Sequence, residues 1–162
     1  MILGMTTYTF IHVLISLVGI ASGLVVAWGL LASRGLAGWT AVFLATTLAT
    51  SVTGFFFPFH GFTPAIAVGI LSVAILAPAI FALYGRRLAG LWRPVYIVGA
   101  VAALYLNVFV LIVQLFLKVP PLHALAPTGT EPPFQIVQGA ALIAFVAIGF
   151  LSLRRFRVAA AA

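Results

Sequence analysis

Five apolar runs, each long enough to cross a bilayer, dominate this chain and restrict what it can fold into. They cover about residues 9–31, 39–57, 64–84, 94–117 and 134–153. A hydrocarbon core about 30 Å thick takes about 20 helical residues to span. Backbone N–H and C=O groups find no water there, so these runs must satisfy them internally, as helices. The breaks between runs are equally clear. Ser33-Arg34-Gly35 closes the first, Pro58 the second, Gly85-Arg86-Arg87 the third and Pro120-Pro121 the fourth. Pro64, Pro94 and Pro133 stand at helix starts, where a missing N–H costs nothing. Pro78 falls inside the third run and is expected to kink it. The expected fold is an all-α membrane protein, a bundle of five transmembrane helices forming a single domain over residues 1–162.

Charge supplies the orientation. Only 6% of the 162 residues are charged, against about a quarter in soluble domains. Arg34, Arg86, Arg87, Arg93, Arg154, Arg155 and Arg157 all fall on one side of a five-span chain, and Lys118 alone falls on the other. The positive-inside rule then puts the N-terminus outside and the C-terminus in the cytoplasm. Trp28, Trp39 and Trp92 gather near the inner boundary, as an interfacial belt. A net charge of +7 on a soluble protein would point to nucleic acid. Here the basic residues sit at helix ends, so the expected partner is the lipid bilayer, with a homo-oligomer or a larger membrane complex also compatible. There are no cysteines, which removes disulfides and thiolate metal sites. The N-terminus has no basic stretch and does not read as a cleaved signal.

The pattern Pro-x-His-x-x-x-Pro occurs twice, as Pro58-Phe59-His60-Gly61-Phe62-Thr63-Pro64 and as Pro121-Leu122-His123-Ala124-Leu125-Ala126-Pro127. The topology puts both copies at the outer face, together with His12, Lys118 and Glu131, the only acidic residue. The two hairpins that carry the pattern suggest a parallel internal repeat, a device of transporter folds.

Polarity inside the runs is graded. His12, Ser16, Gly19 and Gly23 share one face of the first helix, and Gly19-x-x-x-Gly23 permits close helix approach. Thr46, Thr50 and Thr53 share a face of the second, and Asn107, Gln114 and Lys118 a face of the fourth. Gln135 and Gln138 open the fifth. The stretches 24–31 and 142–151 carry almost no side-chain polarity. This gradient predicts a pocket open to the outside with an apolar floor, in which Ser16, Asn107, Gln114 and Gln138 contact a ligand. The plainer expectation is that Ser and Thr hydroxyls bond back to their own helix carbonyls.

Three histidines and a carboxylate at one face suggest a metal site. His12, His60 and His123 are the expected ligands, with Glu131 as a fourth. Three imidazoles with an open position are a zinc arrangement, and imidazole also suits copper. Haem between His12 and a loop histidine is a variant, with Phe55, Phe56, Phe57 and Phe59 available to pack on the ring. An accessory subunit of a larger membrane complex, or a small transporter for an uncharged or lipid-like substrate, are the alternatives. No nucleophile motif, phosphate loop or carboxylate pair supports an enzyme, and no catalytic residue is assigned.

The strings Phe57-Pro58-Phe59-His60-Gly61-Phe62-Thr63-Pro64 and Leu122-His123-Ala124-Leu125-Ala126-Pro127-Thr128 resemble segments of uncharacterised small bacterial polytopic inner-membrane proteins. The resemblance implies a bacterial inner membrane as the location and carries no implication about chemistry.

Overall fold

The structure is a computed structural model that describes residues 6–57 and 64–157. Among the described residues every regular element is helical. Helix α1 spans Thr7–Leu31, α2 Ala37–Gly54, α3 Pro64–Ile80, α4 Trp92–Lys118, α5 Pro120–Leu125 and α6 Pro132–Arg155. A π-helical turn, Phe81–Gly85, extends α3.

Each apolar run is a helix, but the count of clear spans differs from expectation. Among the described residues four helices are long and apolar enough to cross a membrane: α1, α3 with its π-helical extension, α4 and α6. Helix α2 is the exception. Its 18 residues reach about 27 Å at 1.5 Å per residue, slightly less than a hydrocarbon core. Five hydroxyl side chains in its second half also lower its hydropathy. Those hydroxyls are turned to use inside the bundle, as described below.

Local chemistry accounts for the helix ends. Thr6 caps α1 by accepting a hydrogen bond from the Thr9 N–H. Pro120-Pro121 was expected only to end the fourth run. It also starts α5, because proline in the first turn has its φ preset and loses no needed hydrogen bond. Pro78 removes one donor from the α3 ladder, and the chain widens to a π-turn three residues later.

The bundle has two unlike ends. At one, Arg93 donates to the carbonyls of Phe156 and Leu153, tying the start of α4 to the end of α6. The Arg157 N–H donates to Ser33 Oγ in the α1–α2 turn at 2.8 Å. Arg34 lies over Trp28 and Arg86 over Trp92, at 5.5 and 5.6 Å from the ring centres. All seven arginines therefore belong to this end. The main core fills this half, with Val26, Leu30, Phe43, Leu76, Ile97, Leu104 and Phe145 among its buried residues. Gly23 lets the helices meet here: a Cβ on it would lie 2.5 Å from Leu104 and 2.8 Å from Phe43. At the other end a smaller cluster of Ile112, Phe116 and Ala126 fastens α5 and the start of α6 to α4.

Candidate functional site

The half of the bundle away from the arginines encloses a cavity of about 520 Å³, within the usual range for small-molecule sites. Helices α1, α2, α3 and α4 and the end of the α2 segment line it. Most of its wall is apolar: Val13, Leu17, Ile66, Val68, Val110 and Leu111 are typical. Set into that wall are His12, Ser16, Thr50, Ser72, Asn107, Gln114 and Lys118.

A polar seam joins α1 to α2 along one side. Tyr8 donates to the Thr53 carbonyl. His12 Nδ1 lies 2.8 Å from Thr53 Oγ1. Ser16 Oγ lies 3.3 Å from Thr50 Oγ1. Farther in, Asn107 Nδ2 of α4 donates to Thr47 Oγ1 at 3.1 Å. The plainer expectation for hydroxyls holds as well. Ser16, Ser22, Thr46, Ser51 and Thr53 all donate to carbonyls one turn back. The two roles combine at Thr53, whose hydroxyl donates to its own helix and whose oxygen faces His12 of the neighbour.

That arithmetic assigns the His12 tautomer. Thr53 has one hydroxyl proton, and the Ala49 carbonyl at 2.7 Å takes it. The Thr53 oxygen can then only accept from His12, so the proton sits on Nδ1. Nε2 keeps its lone pair, as an acceptor or a metal ligand. The Phe57 ring meets the imidazole edge-on at 5.0 Å and holds its plane.

Ser72 departs from this pattern. It is 3% exposed, lines the cavity from α3, and its Oγ has no hydrogen-bond partner. Serines in helices usually bond one turn back. Ser72 was not singled out in the sequence, where a lone serine in an apolar run carries no signal.

The expected site residues therefore separate. His12, Ser16, Asn107 and Gln114 line one cavity. Gln138 does not. It is buried between α6 and α4, where Nε2 donates to the Phe109 carbonyl at 3.1 Å and Oε1 is unpartnered. His123 is exposed on α5. Glu131 is taken up by its own loop: one oxygen accepts from the Thr128 N–H and hydroxyl, the other from the Thr130 N–H. Desolvation pushes its carboxyl upward, but these hydrogen bonds outweigh it and hold the group below the usual carboxylate range. His60 lies outside the described residues, and with it the first Pro-x-His-x-x-x-Pro copy apart from Pro64. Among the described residues no three of His, Cys, Asp and Glu come together as a metal-binding group.

No protein-family model, curated protein or solved structure matches this chain.

Proposed function

We infer that this is a multi-pass membrane protein that binds a small, largely apolar ligand in the cavity between α1 and α4. The carrying observation is the cavity itself, an apolar wall interrupted by a few convergent polar groups. The unpartnered Ser72 hydroxyl supports it, since a buried donor without a partner costs free energy unless something bonds to it. In this reading α2 crosses as a fifth span, its hydroxyls shielded by α1 and α4. The positive-inside rule puts the arginine end in the cytoplasm and the cavity at the outer side, with the N-terminus outside. The resemblance noted above favours a bacterial inner membrane. A metal ion or haem in this cavity would find one imidazole among its described walls, that of His12. An organic ligand with hydrogen-bonding groups fits the lining better.

The test is native mass spectrometry of the full chain released from detergent. A bound small molecule is expected on the wild type and depleted on Val110→Trp, which projects an indole into the cavity. Val146→Trp, on an exposed face of α6, should keep it. Equal spectra for all three proteins would remove the pocket reading. Co-purification with a second membrane protein in constant ratio would then favour an accessory subunit. Stoichiometric zinc or copper, or a Soret band, would restore the metal and haem readings.

A further inference from the structure

We propose that the ligand is an anionic amphiphile with a single apolar tail, its headgroup held at the ammonium of Lys118. The proposal rests on the pocket reading above and names the chemistry of its occupant.

The chain has one acidic side chain, Glu131. Its two carboxylate oxygens are committed to Thr128 and Thr130 in its own loop. Lys118 therefore lines the cavity with no carboxylate of this chain to answer it. It is also the only Lys or Arg away from the arginine end. Gln114 lies one turn below on the same face of α4 and also lines the cavity. An ammonium with an amide beneath it is a hydrogen-bonding cradle for a carboxylate or phosphate oxygen.

Position fixes the rest of the ligand. Lys118 is the last residue of α4, exposed and bordering the cavity. Ser16, Ser72 and Asn107 lie roughly 12–17 Å along their helices from that end, at 1.5 Å per residue. The wall between these levels is mostly apolar, with Val110, Leu111 and Leu115 on α4 and Val13 on α1, and His12 and Gln114 are the polar groups set into it. A charged head followed by a largely apolar tail matches that order. Lysine also steadies a helix C-terminus and marks membrane interfaces. Those roles explain a cation at this height, but a cavity wall ending on it adds a reason for its place.

The experiment uses the full chain in nanodiscs of zwitterionic phosphatidylcholine, with radiolabelled palmitate and hexadecanol as probes. Saturable palmitate binding is expected, weakened roughly tenfold by Lys118→Gln and retained by Lys118→Arg, about the 1.4 kcal/mol of one partly shielded ion pair. Hexadecanol should bind more weakly and ignore Lys118→Gln. Equal binding of the two probes, unchanged by Lys118→Gln, would overturn the charge assignment while leaving the pocket standing. No saturable binding of either probe, with an empty wild-type cavity by mass spectrometry, would overturn both. Loss of palmitate binding in Arg86→Gln/Arg87→Gln but not in Lys118→Gln would place the anion at the opposite face and overturn the proposal. Competition by phosphatidylglycerol would identify the head as that of a bilayer lipid. Its failure to compete would identify a free amphiphile, and either outcome upholds the anionic head.

Discussion

Around Gly23 the helices interlock; two turns along α1, around Ser16, they part. At Gly23 there is no room for one added carbon, because Leu104 and Phe43 already occupy it. At Ser16 the facing residues of α1 and α4 border a cavity. The same pair of helices thus makes a closed core and an open site. The closed half depends on shape and is filled by residues such as Phe43, Ile97 and Leu104. The open half is held by hydrogen bonds along the α1–α2 seam, which keep two helices together without needing a third to fill the space. Packing in one half frees the other to hold something else.

The widest gap between the halves should appear on truncating leucines. Leu104 is 1% exposed. Leu104→Ala should cost about 3 kcal/mol, as lost packing contacts plus a new cavity. Leu111 already borders open space, and Leu111→Ala should cost less than about 1 kcal/mol because little packing is lost. Unfolding in mixed micelles measures both, and equal losses would erase the contrast. Adding a carbon probes it from the other side. Gly23→Ala should cost about 2 kcal/mol through overpacking. At Gly69 the new carbon meets only the Phe55 ring, 2.9 Å away and itself on the cavity wall. If that ring turns into the cavity, the gain of about 1 kcal/mol in helix propensity offsets the shift.

Asn107 stands where the two regimes meet. Asn107→Leu removes the bond to Thr47 and should cost about 1 kcal/mol of stability. A larger loss in ligand binding than in stability would assign it to the site. A loss in stability alone would assign it to the seam. The smallest effect lies outside both halves, at Glu131. Its folded pKa is held low, so the stabilisation is present at neutral pH and disappears as pH falls through that value. Melting temperatures of wild type and Glu131→Gln should differ slightly at pH 7 and converge as pH falls below the usual carboxylate range.

The helices were legible because burial in lipid writes itself as long apolar runs with charged or proline breaks. The face shared by Asn107, Gln114 and Lys118 was legible for a related reason: helical spacing aligns residues seven and four apart, and all three line the cavity. The Gly19–Gly23 face was legible too: an added carbon at Gly23 would come within 3 Å of Leu104 and Phe43, and one at Gly19 would press on Thr46 at 3.2 Å. What failed to transfer was position across loops. Placing His123 and Glu131 at the outer face did not place them in the cavity. Their locations depend on α5, a helix of six residues begun by two prolines, and on a turn that Glu131 closes on itself. Ser72 and Phe55 were missed because their roles come from what faces them on other helices, which periodicity within one run does not encode.

The one acidic side chain, held below the usual carboxylate range, stays ionised at neutrality and exchanges no proton there. Histidine is the side chain whose unperturbed ionisation falls between about pH 5 and 8, and there are three. Side-chain proton uptake in that interval reports those imidazoles or whatever the protein carries. A pH electrode can therefore follow proton uptake or release as an anionic ligand enters the cavity, with no label attached to the chain.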